Sequence, residues 1–140
     1  MVNLAKRGLS LLISSTVLLM AQVSLAGERD FDLTFSSGSI YTVESNSVVR
    51  GDRDRYYFNA QAGQSISLAI TSNEDNAVIQ LLYKRGGEWL AVPGTEAEPD
   101  LRVWYGALPS SESNQYRIDV GGTRGNTSYD LFVGIAAVSR

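Results

Sequence analysis

Apolar and polar residues alternate with a period of two through most of the chain, and short turn signals interrupt the alternation about every 8–12 residues. In Ser65–Thr71 the large residues Ile66, Leu68 and Ile70 share a face; in Tyr116–Val120 the apolar side chains point one way and Arg117 and Asp119 the other; in Tyr129–Ile135 the alternating set is Tyr129, Leu131, Val133 and Ile135. Half-buried strands with one solvated face give this pattern, and an amphipathic helix does not. Further strands are expected at Phe31–Phe35, Ile40–Glu44, Asp54–Asn59, Ala77–Tyr83 and Leu101–Leu108, with Ser47–Val49 a short continuation after a break. The turns are Ser36-Ser37-Gly38, Arg50-Gly51-Asp52, Gln61-Ala62-Gly63, Ser72–Asn76, Arg85-Gly86-Gly87, Gly121-Gly122 and Gly125-Asn126. Residues 91–100, with two prolines and three acids, are expected to form a loop. The expected fold is all-β, an antiparallel β-sandwich of about eight strands, jelly-roll-like, with no helix longer than about two turns. Its core is Tyr56, Phe58, Ile66, Leu68, Ile70, Ile118, Val120, Leu131 and Val133.

The 140 residues suffice for one such domain. Residues 1–26 do not belong to it. Lys6 and Arg7 precede an apolar run from Leu9 to Leu25, and Ser24-Leu25-Ala26 places small residues at the −3 and −1 positions of a cleavage site. This is the pattern of a secretory signal peptide cut after Ala26, leaving residues 27–140 as the mature domain, with no membrane span once the leader is removed. The destination is the bacterial periplasm or the exterior, where a domain of this size needs no disulfide staples.

Missing residue types exclude several chemistries. With no Cys there is no thiol nucleophile, disulfide or Cys-ligated metal, and with no His there is no Ser-His-Asp triad and no imidazole base. The only Lys after the leader, Lys84, lies beside Arg85 in an expected exposed turn, a poor place for a base that needs burial. The acids all fall in or next to turns or on the polar phase of strands, so no carboxylate pair is set in a cleft. The chain is read as non-enzymatic, without a cofactor or metal. Its net charge of −3 opposes nucleic-acid binding.

Three acidic clusters, Asp52 with Asp54, Glu74 with Asp75, and Glu96 and Glu98 with Asp100, lack the spacing of a Ca²⁺ loop and read as solvated loop charge. Arg50-Gly51-Asp52 spells an adhesive tripeptide, but a turn before a strand explains it. Asn126-Thr127-Ser128 is a glycosylation sequon that matters only in a eukaryotic secretory route. Trp89, Trp104 and Tyr105 flank the 91–100 loop; on an alternating strand one of the last two must face outward.

The run Gly51 to Gln64, with Tyr56-x-Phe58-x-Ala60 and then Ala62-Gly63-Gln64, resembles the bacterial pre-peptidase C-terminal domain. Trp104–Pro109, Tyr116-Arg117-Ile118-x-Val120 and Tyr129-x-Leu131-x-Val133 continue the likeness, which spans about residues 31 to 136. It implies a β-sandwich of eight or nine strands without catalytic machinery. Behind a leader, and with Phe35-Ser36-Ser37-Gly38-Ser39 near its start, the chain is similar to the stand-alone periplasmic lysozyme inhibitors of the g-type and i-type classes. The i-type class carries a Ser-Gly-x-Tyr loop that enters the lysozyme cleft, and Ser113-Asn114-Gln115-Tyr116 stands at that place, Asn replacing Gly.

The resemblance implies a secreted binding protein whose partner is a basic, lysozyme-like protein. Residues Ser111, Glu112, Ser113, Asn114 and Tyr116 are the expected contact loop. The stretch from Ser110 to Tyr116 is too long for a tight hairpin and offers hydroxyl and amide groups suited to a cleft that binds sugar hydroxyls, Tyr116 plugging the core at its base. The alternative is a structural or carbohydrate-associated surface module using the sandwich face and its aromatics.

Overall fold

A computed structural model describes residues 27–96 and 100–137. The leader therefore lies outside the described residues, as does Glu98. Nine strands are formed among the described residues: β1 (Glu28–Asp32), β2 (Tyr41–Val48), β3 (Arg53–Asn59), β4 (Ser65–Ser72), β5 (Ala77–Arg85), β6 (Glu88–Ala91), β7 (Val103–Ala107), β8 (Gln115–Gly122) and β9 (Thr127–Ile135), with one 3₁₀ turn at Glu112–Asn114. They make a five-stranded sheet in the order β1-β3-β8-β5-β6 and a four-stranded sheet in the order β2-β9-β4-β7. Every strand connection except the β5–β6 hairpin passes from one sheet to the other. This is the interleaved wiring of a jelly-roll-like sandwich.

The period-two runs became strands with the expected faces inward. Ile66, Leu68 and Ile70 of β4, Ile118 and Val120 of β8, and Leu131 and Val133 of β9 are buried together with Tyr56 and Phe58 of β3. Trp104 packs against this core, while its neighbour Tyr105 is 71% exposed.

Several expectations need correction. Gly121-Gly122, expected as a turn, is the regularly paired end of β8. β1 lies at Glu28–Asp32 rather than Phe31–Phe35, and it pairs with β3 in parallel, while the other strand pairs among the described residues are antiparallel. Its pairing is fixed less by apolar alternation than by polar partners, Glu28 to Arg55 and Arg29 to Asp54. β2 runs unbroken from Tyr41 to Val48. A strand absent from the sequence reading, β6, follows the Gly86-Gly87 turn and takes Lys84 into regular pairing with Trp89, so Lys84 belongs to a strand rather than a turn.

Asp54, expected as solvated loop charge, is not on the surface. It lies on the core phase of β3, beside Tyr56 and Phe58, and is fully buried. Arg29 of β1 grips both its carboxylate oxygens at 2.8 Å, and the Tyr129 hydroxyl of β9 donates to Oδ2 at 2.6 Å. The Tyr129 and Tyr56 hydroxyls are 2.5 Å apart. Arg29 reaches on to the Ser47 carbonyl and to Asn46 of β2. A buried carboxylate is tolerated only with such partners, and this one ties β1, β2, β3 and β9 across the two sheets.

Candidate functional site

The link from β7 to β8 closes one end of the sandwich. After β7, Leu108 is buried and exchanges backbone hydrogen bonds with the β3–β4 turn, its N–H donating to Gln64 and its carbonyl accepting from Gly63. Tyr116, the second residue of β8, is on the core phase and fully buried, stacks on Phe58 at 5.5 Å between ring centroids, and donates its hydroxyl to the Pro109 carbonyl. Both ends of the loop are thereby anchored in the core.

Between these anchors the side chains staple the loop to its neighbours. The Ser111 hydroxyl oxygen accepts the Lys84 N–H at 2.7 Å and donates to the Gln115 carbonyl. The Glu112 carboxylate accepts the N–H groups of Gly86 and Gly87 at the tip of the β5–β6 hairpin. The Asn114 carbonyl accepts the Ala60 N–H at 3.1 Å. Three connections, 60–64, 85–88 and 109–115, are thus joined into one surface. Ser113 and Asn114 stand at its crest with φ of 54° and 55°, both exposed. Asn enters the left-handed region readily and Ser less so, so the staples on either side hold a conformation that the backbone alone does not favour.

The expected contact residues therefore divide by position. Ser113 and Asn114 present their side chains to solvent, Ser111 and Glu112 spend theirs holding the loop, and Tyr116 lies beneath it.

Beside this end, the outer face of the first sheet carries a cluster the sequence did not single out. Arg117 and Asp119, two apart on β8, share that face and form a two-pronged pair at 2.6 and 2.9 Å. The Arg117 guanidinium lies 4.9 Å from the centre of the Trp89 ring, with Lys84 5.7 Å from the same ring and Tyr57 edge-on to it at 5.9 Å. Trp89 covers the Arg117 guanidinium, which is why Arg117 is only 9% exposed on an outward face. The signal was available: a Gly-Gly turn followed by a four-residue strand bearing a Trp.

The remaining motifs have local roles. Among the described residues no group of three or more acids is placed to hold a metal ion. Asp52 accepts the Gly27 N–H at 2.6 Å, and Asp75 pairs with Arg102 at 2.8 Å. Gly51 has φ of 83° in a turn closed by Asp52 N–H to the Val49 carbonyl, as the tripeptide's turn reading requires. The Asn126 side chain accepts the Arg50 N–H.

Burial and hydrogen bonding shift few titrations. Burial raises Tyr129 well above the ordinary tyrosine value, and its hydrogen bond to Asp54 adds to the rise; burial likewise raises Tyr56 and Tyr116. Arg29 is raised by its hydrogen bond to Asp54. These groups belong to the structural lock and the loop anchor.

No protein-family model matches the sequence, and no curated protein does. Solved structures match well. A periplasmic lysozyme inhibitor of g-type lysozyme from Aeromonas hydrophila is 25% identical, with 78% of this chain and 97% of that one covered at a TM-score of 0.61. Its counterpart from Salmonella Typhimurium is 20% identical over 77% of this chain and 98% of that one, TM-score 0.58. The pre-peptidase C-terminal domain of a Bacillus anthracis collagenase is 16% identical over 78% and 96%, TM-score 0.51. The chain has the β-sandwich fold shared by these proteins.

Proposed function

We propose that the chain is an exported inhibitor of a lysozyme, the g-type class first, and that it makes contact through the crest of the 109–115 loop. The observation that carries this reading is the match to g-type inhibitors over nearly their whole length. Periplasmic placement agrees with the leader read in residues 1–26, which Gly27 would follow as the mature terminus. Lysozymes are commonly basic, and a chain of net charge −3 draws a basic partner in, chiefly by raising the association rate. A loop already fixed by Ser111 and Glu112 loses little freedom on entering a cleft. Ser113 and Asn114 then offer a hydroxyl and an amide to groups that otherwise bind sugar hydroxyls.

The test strips the crest without disturbing its backbone. Ser113→Gly with Asn114→Gly keeps the left-handed conformation and removes both side chains. Inhibition should weaken by about tenfold or more, as for a contact hot spot, with the melting temperature unchanged. Equal inhibition by variant and parent would place the contact elsewhere, and failure of the parent to inhibit any lysozyme class would end the inhibitor reading. A carbohydrate-binding role calls on a different surface, the outer face of the second sheet.

A further inference from the structure

On that outer face β2 reverses the usual sense of alternation, and β7 and β9 add further apolar side chains. β2 turns Thr42, Glu44 and Asn46 toward the sandwich interior and Tyr41 and Val43 toward solvent; β7 turns Val103 and Tyr105 outward; β9 adds Phe132. The register aligns them in two rows across the four strands. One row is Tyr41, Gly134, Ser67, Tyr105, and the next is Val43, Phe132, Ala69, Val103. Neither row contains a charged side chain. A strand gains nothing by exposing its apolar phase, and contiguous exposed apolar surface marks an interaction site.

The surface has a shape as well as a composition. Tyr41 and Phe132, the latter's ring packed over Gly134, stack at 5.9 Å and form one wall, Tyr105 forms the other, and the small residues Ser65 and Ser67 lie between them in a depression of about 280 Å³. The two tyrosines are three strand spacings apart, about 14 Å. Aromatic walls, small residues between them, hydroxyls from Ser65, Ser67 and both tyrosines, and no charge suit a ligand with alternating C–H faces and hydroxyl edges. A protein partner would bring a convex apolar anchor to a deep pocket, and a basic one would find no complementary charge here.

We infer that this depression binds an uncharged oligosaccharide of equatorially substituted pyranose rings, lying across the strands with its ring faces on Tyr41, Phe132 and Tyr105. The site is separate from the loop crest and does not depend on lysozyme inhibition.

Titration of the ¹⁵N-labelled protein with chitotetraose (N-acetylated) and cellotetraose tests it. Millimolar sugar should shift amide signals of residues 41–43, 65–69, 103–107 and 132–136 and leave the crest unshifted. Tyr105→Ala should weaken binding about tenfold, as loss of one stacking face, while Tyr105→Phe keeps most of it and the double-glycine crest variant keeps all of it. Tyr105 is exposed, so neither substitution threatens folding. No shifts with either sugar at millimolar concentration, or binding indifferent to Tyr105→Ala, would overturn the assignment. So would concentration-dependent dimerisation in sedimentation velocity that Val103→Ser abolishes, which would make the face a contact between copies of the chain.

Discussion

Tyr129 joins the lock that closes the two sheets, and its hydroxyl stays protonated in the fold at a pH where a free tyrosine ionises. The unfolded chain releases that proton near pH 10.0, whereas the folded chain holds it, as it does for Tyr56 and Tyr116. Stability from these rings is complete below that pH and falls as the pH rises above it, by up to ~1.4 kcal/mol per pH unit for each tyrosine. Urea midpoints measured from pH 8 to 11 should be level and then drop, and Tyr129→Phe should make the drop shallower. Asp54→Asn weakens the pairing with Arg29 and should cost about 1–3 kcal/mol, the usual penalty for a buried polar group left poorly partnered. Leu68, buried on β4, is an apolar counterpart: Leu68→Ala should cost about 2–5 kcal/mol in the same denaturation experiment. A cost below about half a kcal/mol would mean that Leu68 faces solvent and the β4 register is wrong. Leu68 was readable from periodicity alone. Asp54 was not, because a carboxylate between two arginines in sequence looks solvated, and its partners come from β1 and β9, far away along the chain.

The 109–115 loop and the β5–β6 hairpin behave as one piece because Glu112 caps the hairpin's free N–H groups. Glu112→Ala should cost only about 1 kcal/mol, since these groups are exposed to water. It should nonetheless speed hydrogen exchange at Gly86 and Gly87 while leaving core amides protected. Unchanged exchange there would show that the hairpin is ordered without the loop. Strands with a buried apolar phase, β3, β4, β8 and β9, could be placed from the sequence because their alternation reports the face that meets the core. β1 is held by charged cross-strand partners, and β6 is four residues long beside a proline-bearing loop, so neither carries that signal. β2 carries it inverted, its apolar residues facing out. The loop's length and polar make-up were visible in the sequence, but its staples to Lys84, Gly86 and Gly87 were not, because they depend on a hairpin turn more than twenty residues earlier.

Nearly every connection crosses between the sheets, so few native contacts are local and the chain must order most of its length before its core closes. Folding should accordingly fall in the millisecond-to-second range, with stopped-flow fluorescence of Trp89 and Trp104 as the readout. The same wiring fixes one end of the sandwich as a rigid platform and leaves Ser113 and Asn114 at its crest, and the acidic balance of the whole molecule favours encounter with a basic partner. Inhibition of a g-type lysozyme by the purified protein, titrated at low and at high salt, tests the account most directly. Stoichiometric inhibition, with an association rate that falls as salt rises while the complex persists, is the predicted result. A protein that leaves g-type lysozyme fully active at saturating concentration in low salt would contradict it.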